Sequence, residues 1–253
     1  MPYVECPPPP DLASAIECFW RLEGTGRPHR VLPDGCIDIL LSCDAGVEQG
    51  EAAPLEARAV EARVVGTMTS AIVVAPPPGA IAIGARFRPG EAARFIPEAD
   101  ASFTDTAVML SDLWGTAGQD LDGAFAVGGR WADELVGLLR RRLALKGRAV
   151  DLRVRAAVAH LSAGESVRFT AAEVGLSERQ LARRFTARVG IAPKVFARVA
   201  RLRRAAADLA SGASLTEAGA AAGYADQAHF TREARELAGT TPRRLASELA
   251  TAS

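Results

Sequence analysis

Gly175-Leu176-Ser177-Glu178-Arg179-Gln180-Leu181-Ala182-Arg183-Arg184-Phe185 and Gly223-Tyr224-Ala225-Asp226-Gln227-Ala228-His229-Phe230 follow one grammar. In each, a glycine suited to positive φ is followed by a residue whose side-chain oxygen can cap a helix, and then by an apolar row. Working outward from the first stretch, Ser166 can cap a short helix bearing Val167, Ala171 and Val174, and Ser177 opens a second with Leu181, Phe185 and Val189 inward. From the second stretch, Ser214 caps Leu215 to Ala222, and Asp226 opens a helix with Phe230 and Leu237 inward. Ser177 and Asp226 are 49 residues apart, so the chain holds two helix-turn-helix units rather than one.

The connection between the units, Pro193 to about Ala210, reads as a helix with proline in its first turn and Phe196, Val199 and Leu202 as its apolar row. Eighteen residues at 1.5 Å make a rod of about 27 Å, comparable to the ~34 Å between successive major grooves on one face of B-DNA. Upstream, Asp151 can cap a helix bearing Val154, Val158 and Leu161 that stops at Gly164. On the first unit's second helix, Arg179, Ala182, Arg183 and Thr186 lie away from the apolar row. On the second unit's, Gln227, Ala228, Thr231, Arg232 and Arg235 do.

The ordered series of Gly175-Leu176-Ser177, Leu181, Arg184-Phe185, Gly190, Pro193, Arg201-Leu202, Ala205, Gly223 to Phe230 and Gly239 to Pro242 resembles the DNA-binding domain of AraC/XylS-type transcriptional regulators. The resemblance covers about residues 150–246. It implies sequence-specific binding of double-stranded promoter DNA, with Ser177 to Arg188 and Asp226 to Leu237 as recognition helices in major grooves. It also implies a contact with RNA polymerase. Carried over by position, the base-edge candidates are Arg179, Ala182 and Arg183, then Gln227, Ala228, Thr231 and Arg232. Arginine can fork to guanine and glutamine to adenine, while the two alanines can touch only a thymine methyl. Ser177, Thr186, Arg198, Arg201, Arg204, Asp226, His229 and Arg235 are phosphate candidates. For Arg198, Arg201, Arg203 and Arg204 interhelix salt bridges are the alternative, and for His229 a packing or capping role. Two departures from the family pattern fall in the second unit, where Ala234 stands at a position usually held by phenylalanine and Gly219 at one usually held by alanine.

Among the 253 residues, 30 Lys and Arg balance 30 Asp and Glu. The balance hides an asymmetry: residues 1–150 hold 14 basic and 20 acidic side chains, net −6, and residues 151–253 hold 16 and 10, net +6. A basic half behind an acidic one agrees with polyanion binding by the former. The 49% hydrophobic content suits one or two core-forming domains. No apolar run approaches the ~20 residues of a membrane span, and Met1-Pro2-Tyr3 does not open a secretory signal, so a cytoplasmic location and no membrane contact are expected. Cys6, Cys18, Cys36 and Cys43 show no metal-binding spacing and read as reduced thiols, with Cys36 beside a turn as the one reactive candidate. His29 and His160 read as structural. Neither a metal nor a cofactor is expected.

The acidic half reads as mixed. After the extended Pro7 to Pro10 comes an amphipathic piece with Leu12, Ile16, Phe19 and Trp20. Strands are expected at Val31-Leu32, Ile37 to Leu41, Val64-Val65, Ile72 to Ala75 and Ile81 to Phe87, with 44–63 a loose hairpin or excursion. Helices are expected near 89–97, near Leu110 to Trp114, and from Trp131 to about Leu145, with Lys146-Gly147-Arg148 as the joint. Trp20, Leu32 to Asp38, Gly66, Phe87 to Gly90 and Leu113 resemble a sensor-like domain found ahead of such DNA-binding domains. The expected fold class is therefore α+β: residues 1–148 a cupin-like β-barrel or small α+β domain, and residues 149–253 an all-α domain of two helix-turn-helix units joined by a linker helix.

Three function classes follow. In the first, a transcription factor responds to a small-molecule effector or partner at a pocket including Trp20, Cys36, Asp38, Arg86 and Arg88. There Arg86 and Arg88 either fork to an anion or form structural salt bridges. In the second, a constitutive DNA-binding protein uses its N-terminal half only to dimerise, through the Trp131 to Leu145 helix; the first class allows monomer or homodimer. The third, an enzyme using Cys36 or the Asp34/Asp38 pair, is poorly supported, since an Asp in Pro-Asp-Gly is ordinarily turn chemistry and no catalytic carboxylate is expected.

Overall fold

The computed structural model describes residues 3–43, 47–48, 51–52, 60–119, 131–145 and 147–252. Of the expected 44–63 excursion, residues 60–63 belong instead to a strand, and most of its remainder, with Lys146 of the expected joint, lies outside the described residues. The fold is α+β, with the strands in the N-terminal part and long helices in the C-terminal part.

Strands β1 (Tyr3–Cys6), β2 (Ile16–Glu23), β4 (Ile37–Cys43), β7 (Val60–Val65), β9 (Ile81–Phe87) and β10 (Ala107–Met109) form one antiparallel sheet in the order β1-β2-β9-β4-β7-β10. Two small ribbons accompany it, β3 (His29–Val31) with β8 (Ile72–Val74), and β5 (Val47–Glu48) with β6 (Glu51–Ala52). Central β4 alternates strictly, burying Ile37, Ile39, Leu41 and Cys43. Its neighbours contribute Val64 from β7 and Ala85 from β9, both opposite Ile39. Helices α1 (Leu110–Trp114) and α3 (Trp131–Ala144), with a tight turn at Ala92–Arg94, lay Leu110, Leu135, Leu138, Leu139 and Phe95 on that face. The short α2 is Thr116–Gln119. The barrel alternative is corrected: among the described residues β1 and β10 are sheet edges, and the sheet is closed by helices rather than by its own strands. Leu135, Leu138 and Leu139 of α3 are buried in this core, with Trp131, Val136 and Leu143 partly buried against it.

The amphipathic piece at Leu12 to Trp20 is not a helix. A tight turn from Pro9 to Ile16 feeds β2, whose register against β9 shifts between Ile16 and Cys18. That bulge breaks the two-residue period and leaves a helix-like spacing of apolar residues.

The C-terminal part follows the expected helices. Asp151 caps α4 (Leu152–Ala163), Ser166 caps α5 (Val167–Glu173), and Ser177 caps α6 (Glu178–Val189) through a reciprocal box with Gln180. α7 spans Pro193–Ala210. Ser214 caps α8 (Leu215–Ala221), Asp226 caps α9 (Gln227–Ala238), and α10 (Pro242–Ala252) completes the part. Two apolar cores result. Val154, Leu161, Leu181, Phe185 and Phe196 belong to one, and Val199, Leu202, Ala218, Phe230 and Leu237 to the other. Ala234 is fully buried, Tyr224 stacks on Phe230 at 4.5 Å, and at Gly219 an added Cβ would lie 3.2 Å from that ring. The two departures thus sit in a core built around a Tyr224–Phe230 pair. No described helix is long and apolar enough to cross a membrane.

The two parts are packed together. The Pro33-Asp34-Gly35 turn, held by a 2.9 Å bond from Cys36 N–H to the Asp34 carboxylate, sits directly on α7. At Gly35, φ is +80° and a Cβ would lie 2.4 Å from the Phe196 ring. Gly175 has similar φ, +65°, but open space around it. Gly35→Ala is therefore expected to lower the urea midpoint more than Gly175→Ala, which bears only the ~1–2 kcal/mol left-handed penalty. Equal losses would show that the turn does not seat on α7.

Candidate nucleic-acid interface

Unpaired cations are spread over the C-terminal part, and several of them stand on the two second helices, α6 and α9. Arg179, Arg183, Arg232 and Arg235 are exposed, and no hydrogen bond or ion pair engages their guanidiniums among the described residues. Ala182, Thr186 and Thr231 are half-buried between them, and Gln227 and Ala228 are exposed at the start of α9. Asp226, Gln227, Ala228, Thr231, Arg232 and Arg235 line an open concavity of about 720 Å³ along α9. All seven base-edge candidates are exposed or half-buried residues of α6 and α9.

The arginines of α7 are placed differently. Arg198 bonds buried Glu233 at 2.7 Å and pairs with Glu236. Arg201 reaches Glu233 at 3.5 Å and lies over the Tyr224 ring, 5.5 Å from its centroid. Arg204 donates to Ser162 O at 2.6 Å and Ala222 O at 3.3 Å, tying α4 to the end of α8. Of the two alternatives open in the sequence, these three take the internal one; Arg203 stays exposed. Buried Glu233 needs these partners, because an unpaired carboxylate there would carry a large desolvation cost. His229 also takes its internal alternative: Nδ1 accepts from Ala225 N–H at 3.4 Å, and the ring meets Tyr224 edge-on. Ser177 and Asp226 use their side-chain oxygens as caps, toward Gln180 N–H and His229 N–H.

Of the residues grouped as an effector pocket, Trp20, Asp38 and Arg86 bond one another on the sheet, Cys36 is buried beside them, and Arg88 faces a separate cleft. Asp38 and Arg86 are cross-strand partners, and Trp20 Nε1 donates to Asp38 at 2.7 Å. Arg86 pairs with Asp34 at 3.3 Å, Asp38 at 3.4 Å and Glu5 at 4.0 Å, so its fork is filled by the protein's own carboxylates. Of its two alternatives Arg86 thus takes the structural salt bridge. Cys36 is 3% exposed, its thiol 3.5 Å from Glu17, and burial followed by the field of Asp34 pushes its pKa well up. A protonated, enclosed thiol is no nucleophile. Arg88 stands apart, donating to Ala13 O and facing a cleft of about 540 Å³ between the two parts. Glu17, Asp34, Arg155, Phe196 and Arg203 also line that cleft. Among the described residues no three His, Cys, Asp or Glu gather as metal ligands.

Sequence reasoning missed the residues that join the parts. Arg155 bonds Glu91 at 2.8 Å, Arg30 bonds Glu248 at 2.8 Å, Thr67 donates to Val189 O and Thr104 to Gly190 O. No local pattern marks them, since each pair is separated by 64 to 218 residues.

Residues 170–248 match the helix-turn-helix domain family, and residues 4–109 match a family described as a domain of unknown function (DUF6597). The C-terminal part is an AraC-type helix-turn-helix domain. The chain carrying it is a DNA-binding transcription regulator. No curated protein sequence matches it. Solved structures of ToxT from Vibrio cholerae are similar over most of both chains. One, from strain O395, has a TM-score of 0.46 at 8% identity, covering 91% of this chain and 96% of that one. A second, bound to an unsaturated fatty acid, has 0.45 at 8%, covering 92% and 95%. A third, bound to (E)-4-(8-methylnaphthalen-1-yl)but-3-enoic acid, has 0.47 at 8%, covering 91% and 97%. At these values the likeness carries no inference about ligand or partner.

Burial raises the Asp38 carboxyl from 3.8 to about 6; Arg86 opposes the shift and neighbouring Asp34 adds to it. The folded chain thus keeps a proton that the unfolded chain has already released across this window. The resulting stabilisation is full below pH 3.8 and is lost as pH rises through about 6. At 1.36 kcal/mol per unit, the change is of order 3 kcal/mol at most. Urea unfolding at pH 4 and pH 6.5 should therefore show wild type losing stability relative to Asp38→Asn; a pH-independent difference contradicts the shift.

Proposed function

We propose that the chain binds double-stranded promoter DNA with α6 and α9 in adjacent major grooves on one face of the duplex. The observation that carries this reading is the contrast between free and committed arginines: Arg179, Arg183, Arg232 and Arg235 on the two second helices are unengaged, while three of the four arginines of the connecting helix, Arg198, Arg201 and Arg204, are tied down and Arg203 stays exposed. Guanidiniums left unpaired on two similar helices are available to base edges and phosphates. Base reading is assigned to Arg179, Ala182 and Arg183 on α6 and to Gln227, Ala228, Thr231 and Arg232 on α9. Thr186 and Arg235 are assigned to phosphates. Ser177, Asp226, His229, Arg198, Arg201 and Arg204 are left out of the contact set because their polar atoms serve the fold.

A small-molecule effector belongs in the same reading, at the cleft between the two parts rather than on the sheet. The cleft is lined by charges of both signs, Glu17 and Asp34 against Arg88, Arg155 and Arg203, which suits a small polar molecule bearing an anionic group. A ligand there touches both parts, and so can bind two arrangements of them with different affinity, as a switch requires. RNA polymerase and a second copy of the chain remain partners implied by the family resemblance.

The test is selection of bound sites from a random DNA pool with the full chain, followed by titration of variants on the selected site and on random DNA. Arg183→Ala should cost about 1–3 kcal/mol on the selected site and much less on random DNA. Equal losses on both would reduce Arg183 to a phosphate contact. Arg201→Ala should leave the salt dependence of binding unchanged, because its charge is already paired; a slope reduced by about one counterion would contradict that.

A further inference from the structure

Both recognition helices end on one loop of the other part of the chain. Between β7 and β8, Thr67 donates its hydroxyl to Val189 O at 2.6 Å, where α6 ends. Four residues on, Ala71 N–H donates to Leu237 O at 2.7 Å, in the last turn of α9. Two flanking donors complete the arrangement. Thr104 Oγ1 reaches Gly190 O at 2.8 Å, and Arg30, on the β3 strand paired with β8, reaches Ala238 O at 2.7 Å. The last carbonyls of a helix have no partner within it and carry the negative end of its dipole, so hydroxyls, an N–H and a guanidinium are the groups they call for.

The loop is itself braced. Asp105 accepts from Thr69 N–H at 2.7 Å and Thr69 Oγ1 at 2.5 Å, and its own N–H returns to Thr67 O at 3.0 Å. Gly66 lies so close to the neighbouring segment that a Cβ would fall 1.6 Å from Phe103 O. Since both helices direct their C-termini at this loop, their capped N-terminal ends, with Arg179, Arg183, Gln227 and Arg232, point away from it. The reading face and the loop are at opposite ends of the same two helices.

We propose that the Thr67–Ala71 loop, with Arg30, is a positioning device that sets the spacing of the two recognition helices, so that the N-terminal part determines which separation of half-sites the chain accepts. This rests on the reading that both helices enter DNA. Lever geometry supports it. A 12-residue helix is about 18 Å long, so a tilt of about 10° at its base moves its tip by about 3 Å, close to the ~3.4 Å rise of one base pair. Thr67 and Arg30 are positioning residues and touch no DNA.

The test uses the full chain. Ala172 and Ala220, exposed alanines outside the reading set, are replaced by cysteine in a Cys6→Ser background, spin-labelled, and the distance between the units is measured without DNA. In parallel, binding is titrated on the site selected by the wild type and on derivatives with one base pair inserted or deleted between its halves. Wild type should give one narrow distance and lose at least about tenfold on both derivatives, the order of a single displaced base contact. Thr67→Val with Arg30→Leu should broaden the distance and bring the three sites within about threefold. Thr67→Ser, which keeps the donor, should match wild type in both readouts. If the double variant unfolds, Thr67→Val alone is read the same way. An unchanged distance, or an unchanged preference for spacing, overturns the proposal. Failure of the wild type to select any site counts against the DNA reading, and the distance measurement then decides the loop's role alone.

Discussion

Helix α7 gives its buried side to two cores at once. Phe196 packs edge-to-face with Phe185 at 5.3 Å in the first unit, while Val199, Leu202, Ala205 and Leu209 fill the second. Because one rod supplies both interiors, a large rotation of either unit about it would open a core, where large-to-small changes cost ~2–5 kcal/mol, and only small tilts are left for the loop at the helix C-termini to set. The tandem arrangement depends on this sharing. Two helix-turn-helix units on a loose tether would sample many relative orientations, and the match between an 18-residue helix and the groove repeat would have no consequence.

Charge is sorted along the same lines. On α7, Arg198 and Arg201 neutralise Glu233 and Arg204 closes the ends of neighbouring helices, acting as mortar between elements. On α6 and α9, Arg184 pairs with Asp151, while Arg179, Arg183, Arg232 and Arg235 turn outward without partners among the described residues. The acidic part of the chain lies against the C-terminal ends of α6 and α9, where carbonyls accept donors from Thr67, Ala71, Thr104 and Arg30. These contacts hold that part of the chain at the end of the two helices remote from the capped N-termini that carry the reading face.

The helical part was legible because its punctuation is local. Ser166, Ser177, Ser214 and Asp226 announce caps within three residues of the groups they bond, and Gly164 and Gly239 end helices in the left-handed conformation that glycine tolerates. The central strands were legible for the same reason: the alternation of β4 and the run of β9 depend on one sheet face alone. β2 was not, because its bulge disguised the period, and a closed barrel could not be told from an open sheet without knowing what pairs with β1 and β10. In the candidate site, the position of every arginine was readable but its partner was not. Arg183 and Arg201 look alike in sequence, and only tertiary contact with Glu233 separates a free guanidinium from a committed one. The loop from Thr67 to Ala71 left no trace, since its meaning lies in carbonyls 122 residues and more away.

Hydroxyl-radical footprinting of the full chain on its selected site tests the central claim most directly. Two recognition helices held by α7 should protect two backbone tracts on the same face of the duplex, with centres about 10–10.5 base pairs apart. One tract alone, or two tracts on opposite faces, would contradict it.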